Sequence, residues 1–230
     1  MSSQGLIATP SATVGSASSN ASPITTFKAR DRSLKAIEAV IRAGQDALLA
    51  DSGGQWLWIC PQRDRWMASI QHPARFHQHR SDELKVLPGA KCPLAPDEPA
   101  QWRPIDELRW TSAFYASQGL LLDSCQRHDV IELKTWPNFT RLPHTPGMLL
   151  LATYFQTQPS SLSLAHRLLK LSREEAFSFY SAASHAGYLR KHGGIGSGAS
   201  AEPPQQAETG SAGGQRSGLW SRLLARFSRL

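Results

Sequence analysis

Cysteine is scarce in this chain. Cys60, Cys92 and Cys125 are the only three among 230 residues, odd in number and far apart. That excludes a disulfide framework and suits free thiols in a reducing cytoplasm. No Cys-x-x-Cys pair occurs, so the tight ligand pairs of a structural zinc site are missing. No apolar run approaches the roughly 20 residues that cross a bilayer; the longest candidate, Met148 to Phe155, is far shorter. Charge is missing altogether from residues 1–26, and with it the basic start and apolar centre of a secretory signal. Acidic residues are missing from 218–230.

What is present divides the chain. Residues 1–26 are dominated by Ser, Ala, Thr and Gly and read as a disordered leader. Residues 193–217, rich in Gly, Ser, Ala and Gln, read as a flexible linker. Between them, 27–192 has the length of one compact domain or two small ones. The expected fold class is α+β, with an α+β module over 27–140 and a helical module over 141–192. The net charge of +7 is uneven. Residues 52–91 hold six basic and three acidic groups, and residues 145–191 hold five and two.

Local pattern supplies the elements. Leu34, Ile37, Val40 and Ile41 recur at helical spacing and predict a helix over 33–43, stopped by Gly44. Residues 47–50, 55–60 and 66–70 read as an antiparallel β-meander, across which Trp56, Trp58 and Trp66 could pair. Five prolines between His72 and Pro99 argue against long elements there, with an edge strand over 83–87. Pro104 suits the first position of a helix whose buried face is Ile105, Leu108, Thr111, Phe114 and Tyr115. Residues 130–136 alternate as a strand. Residues 148–156 are apolar nearly all round and predict a central buried helix. Ser161 caps a second helix. Ser172 and Glu175 form a capping box at the start of a third, which Gly187 ends.

Three helices with a tight turn between the last two resemble a helix-turn-helix or winged-helix module. The resemblance rests on Ser161-Leu162, on Leu168-Leu169-Lys170-Leu171-Ser172 and on the ending from Ala183 to Leu189, about 45 residues in all. Lys170 occupies a turn position that often carries glycine. The resemblance implies nucleic-acid contact by Arg167, Lys170, Arg173, Arg190 and Lys191. Glu174 and Glu175 at the start of the third helix oppose it, because carboxylates repel phosphates. The same scaffold serves equally for protein contact.

Residues 218–230 (GLWSRLLARFSRL) hold the sharpest pattern. On a helix, Leu219, Trp220, Leu223, Leu224, Phe227 and Leu230 share one face, with Arg222, Arg226 and Arg229 along its flank. A basic amphipathic helix docks on an anionic membrane surface or in a partner's groove. Burying its apolar side chains gains at most ~1.5–3 kcal/mol each, which nearly cancels about 1–2 kcal/mol per residue of backbone ordering. The arginines add about 1 kcal/mol each near an anionic leaflet. Docking is therefore expected to be weak and reversible.

No catalytic motif stands out. His72, His77 and His79 cluster in HPARFHQH without the paired ligands zinc prefers. The glycines of 193–198 lack the strand and helix that a phosphate loop needs. Cys125 and His128 are three residues apart, a spacing common by chance. No cofactor is expected. The reading is a non-enzymatic cytoplasmic adapter or regulator acting through protein contacts, peripheral at the inner face of a membrane if its tail docks there. A DNA-binding regulator and an enzyme with a non-sequential site are the alternatives.

Overall fold

Ser33–Ala43 forms helix α1 because its apolar residues fall on one stripe. Leu34, Ala36, Ile37 and Val40 are buried, and Gly44 ends the helix in the left-handed region at φ 66°. The computed structural model describes residues 26–91 and 102–192, all within one compact unit, Met1–Ile195. Before α1 lies the short strand β1 (Thr26–Phe27). After it come β2 (Ala47–Ala50), β3 (Trp56–Cys60), β4 (Arg65–Ser69), α2 (Pro73–Gln78) and β5 (Lys85–Pro88). Then follow β6 (Arg103–Pro104), α3 (Ile105–Ser117), β7 (Leu121–Leu122) and β8 (Val130–Leu133). The last elements are α4 (Pro146–Thr157), β9 (Ser160–Ser161), α5 (Leu162–Leu168), α6 (Arg173–His185) and β10 (Leu189–His192). The fold is α+β, and none of the described helices is long and apolar enough to cross a membrane. The 218–230 pattern, the leader and the linker lie outside the described residues.

Five strands form an antiparallel sheet in the order β5-β2-β3-β4-β6. The tryptophans do not pair across it as a set. Trp58 lies opposite Met67, whereas Trp66 lies opposite Ile59. Strand alternation therefore sends Trp66 to the face that packs on α1, and Trp58 to the other face with Cys60 and Met67. Pro73 opens α2, a short helix that the proline-rich sequence concealed; its Phe76 is wholly buried.

The central helix is α3, not the apolar 148–156 segment. Trp110, Leu108 and Ala113 of α3 are wholly buried, and so is Ser112. Its two serines turn onto carbonyls: Ser112 Oγ donates to Arg109 O at 3.1 Å and Ser117 Oγ to Phe114 O at 2.8 Å. Backbone satisfaction of this kind lets a mixed sequence sit in a core. Phe114 and Tyr115, expected on the buried face, are half-buried. By contrast, α4 leaves Leu149 and Leu150 at 39% and 44% exposure.

The second sheet has the order β10-β8-β9. Its middle strand, β8, precedes the three helices in the chain, and one core cluster draws on residues from Phe27 to Tyr188. Ser161 Oγ accepts from Leu164 N, and Ser172 Oγ accepts from Glu175 N at 3.1 Å. Between these helices Lys170 takes the left-handed conformation, φ 54°.

The end of α3 meets the start of α6 at Gly119. Its φ is +81°, and a Cβ there would stand 2.9 Å from Glu174 Cβ. Gly119→Ala is expected to cost about 2 kcal/mol, since left-handed strain for a side chain is about 1–2 kcal/mol before any clash. Urea unfolding measures it, and an unchanged midpoint would contradict the close approach.

Candidate functional site

The five basic residues expected at a nucleic-acid interface are all exposed. Arg167 is on α5, Lys170 in the turn after it, and Arg173 opens α6. Arg190 and Lys191 lie on β10, which the middle strand β8 separates from β9 and the α5 end of the sheet. These two are also partly neutralised. Lys191 Nζ is 3.0 Å from Asp129 Oδ2 and donates to Ser124 O at 2.9 Å, and Arg190 stands 3.8 Å from Glu132. Among the described residues Arg167, Lys170 and Arg173 form no ion pair, whereas Arg190 and Lys191 do.

Beside those three cations lies an apolar surface. Leu149 and Leu150 of α4 are partly exposed, and Leu164 and Leu168 of α5 are 49% and 58% exposed. Residues 133–173 contain no Asp or Glu, but they do contain Lys134, Arg141, Arg167, Lys170 and Arg173. Exposed leucines thus lie on α4 and α5, and Arg167, Lys170 and Arg173 follow along α5 and the start of α6, where Glu174 and Glu175 come next.

A cleft of about 640 Å³ opens on another part of the unit. Strand β4 supplies Trp66 and Ala68 to its wall, the residue after it supplies Ile70, and α2 supplies Pro73 and His77. Thr111 and Tyr115 come from α3, Arg103 from β6, and the remainder from the loop of residues 139–144. That loop is held by Trp110, whose Nε1 donates to Pro143 O at 2.9 Å and whose ring meets Phe139 edge-on. Among the described residues no carboxylate lines the cleft.

Its polar groups are under-satisfied. Thr111 Oγ1 and His77 Nδ1 are buried without a hydrogen-bond partner among the described residues, at 8% and 1% residue exposure. Each orphaned group costs about 1–3 kcal/mol. The His77 ring lies parallel to Tyr115, centroids 6.1 Å apart. Burial alone drives the His77 pKa down to about 3, so the imidazole is neutral. Burial also raises the Tyr115 phenol. One turn before Thr111, Glu107 is nearly buried, with Oε1 3.5 Å from Arg141 Nη1 and Oε2 without a partner among the described residues. Burial raises its pKa, while Arg141 and Arg103 pull it the other way. Arg103 itself lies over the Trp66 ring, 5.6 Å from its centroid.

Other sequence candidates separate. His79 pairs with Glu83 at 2.9 Å, His77 turns inward, and among the described residues no three His, Cys, Asp or Glu side chains gather as metal ligands. Cys125 is buried with its thiol pKa raised by burial, while His128 is exposed and accepts from Arg127 Nε. Asp129 instead takes the Tyr180 hydroxyl.

Comparison with protein-family models, with curated proteins and with solved structures finds no match. Function must be argued from the site alone. Sequence reasoning missed the cleft because its walls come from four separated stretches, around 66–77, 103, 111–115 and 139–144. One local signal was available: Thr111 falls on the same helix stripe as Ile105, Leu108, Phe114 and Tyr115.

Proposed function

We propose that this chain is a non-enzymatic regulatory adapter that binds a protein partner through the α4–α5 face. The observation that carries the reading is the exposure of Leu164 and Leu168 on a helix with no acidic residue. Apolar surface rimmed by one sign of charge is the pattern of a contact site. The complementary partner is a protein segment that presents apolar and acidic side chains together, as an amphipathic helix does. Completing the burial of these leucines gains about 1 kcal/mol each, and the neighbouring cations steer the encounter. The amphipathic pattern of 218–230 adds recruitment, to a partner groove or to the anionic inner face of a membrane. The cytoplasm is the compartment that suits its free thiols.

A double substitution, Leu164→Asp with Leu168→Asp, tests the face. Both side chains are about half exposed, so the unfolding midpoint should hold. Affinity for an isolated partner, identified by photo-crosslinking from position 164, should fall at least roughly tenfold, or 1.4 kcal/mol. Unchanged affinity removes the face from the proposal. Salt-dependent duplex binding lost in Lys170→Ala with Arg173→Ala would instead favour nucleic acid.

A further inference from the structure

We propose that the cleft between β4, α2, α3 and the loop of residues 139–144 binds a small organic anion: a carboxylate or phosphate carried on a flat apolar ring. This inference is independent of the adapter reading, since it uses neither α5 nor the leucine face.

The Thr111 hydroxyl is orphaned among the described residues. A threonine inside a helix ordinarily bonds back to a carbonyl one turn earlier. Ser112 and Ser117 on the same helix do bond carbonyls, and Thr153 on α4 donates to Leu149 O at 2.9 Å. Thr111 does not, although it is buried and lines the cleft. His77, likewise buried and lining the cleft, has an unpartnered ring nitrogen. Buried polar groups without protein partners are places for a ligand's atoms.

The charge on the cleft is positive. Arg103 and Arg141 line the cleft, and among the described residues no carboxylate does. Glu107 stands 3.5 Å from Arg141 and positions it, yet a guanidinium has five donors and keeps several free. Arg103 makes no ion pair among the described residues and rests on Trp66. A carboxylate or phosphate accepts from such groups in paired geometry. A cation would be repelled.

Trp66, Tyr115 and Phe139 present flat apolar surface around these donors. About 640 Å³ falls within the range of small-molecule sites. A ring seated among them brings its anionic substituent to Thr111 and Arg141.

Isothermal titration of the full chain with naphthoate, naphthyl phosphate and the uncharged naphthalenemethanol tests this. One anion should bind at a single site at least roughly tenfold more tightly than the alcohol. The tighter anion tells carboxylate from phosphate ester. Thr111→Val and Arg141→Gln should each weaken it roughly tenfold, while Arg167→Gln leaves it unchanged. Arg141→Gln deprives Glu107 of its partner, so Thr111→Val, which keeps the side-chain shape, is the decisive variant. Its unfolding midpoint should not fall, which separates lost binding from lost folding. Absence of binding at about 1 mM of either anion, equal binding of the alcohol, or full affinity in Thr111→Val each overturns the proposal.

Discussion

Trp110→Ala should lower the unfolding free energy by about 3–5 kcal/mol, the cost of emptying a wholly buried aromatic site. The ring is fully enclosed and touches Phe139, Phe179 and Tyr188 at centroid distances of 5.8, 6.1 and 5.8 Å. It therefore binds α3 to α6, to the residue before β10, and to the loop of residues 139–144. Removing it leaves a cavity among three elements that cannot all close on it. It also strips Pro143 O of its donor. A domain of this size is stable by about 5–15 kcal/mol, so the loss is a large share of the total. Guanidinium unfolding at constant m-value gives the number. A loss below about 1 kcal/mol would mean that the three elements are joined elsewhere. Because the same ring anchors the cleft's outer loop, the variant should also lose the binding of aromatic anions.

The second large effect depends on pH and belongs to His77. Its folded pKa, about 3, lies below the ordinary value of 6.5. The unfolded chain therefore takes the proton first. Stability from this residue is full above about pH 6.5 and declines as pH falls toward 3. Each pH unit inside that window costs up to about 1.4 kcal/mol, which sums to about 2 kcal/mol between about pH 8 and about pH 5. Among the described residues no carboxylate lines the cleft to stabilise the imidazolium; Tyr115, Arg103, Arg141 and His144 are the charged or titratable side chains around it. His185, also depressed by burial, acts in the same direction. Glu107, raised by burial, acts in the opposite one. The comparison that isolates His77 is between the native chain and His77→Phe. The stability difference between the two should shift by about 2 kcal/mol over this range in favour of the variant. Parallel pH profiles would show that the imidazole titrates freely.

Local elements were legible in the sequence, and long-range ones were not. Helix α1 matches its expected span because a single apolar stripe and one glycine suffice to specify it. Ser161 and Ser172 cap α5 and α6 as their spacing implies. Helix α2 escaped because Pro73, which starts it, sits in a stretch where prolines suggested irregular chain. The ranking of α3 and α4 was reversed because burial depends on neighbours as well as composition. The serines of α3 satisfy themselves on carbonyls and go inside, whereas the leucines of α4 outnumber the surfaces available to cover them. His77 was noticed as one of three neighbouring histidines, but its fate follows from Tyr115, distant in sequence. The cleft could not be read from spacing, because Trp66, Thr111 and Arg141 become neighbours only after folding.

The position of β8 has a consequence during synthesis. Val130 pairs with His192, and Leu133 with Leu189. A ribosome adding about 5–20 residues per second makes the two ends of that ladder some 3–12 s apart. Through that interval the nascent β8 waits with one flank lacking its final neighbour. Unpaired flanks invite other strands, and a charge at mid-strand discourages them. Glu132 holds that place, and once translation has passed residue 192 it accepts the imidazole of His192 at 2.9 Å. One carboxylate thus guards the growing chain and later fastens the finished one.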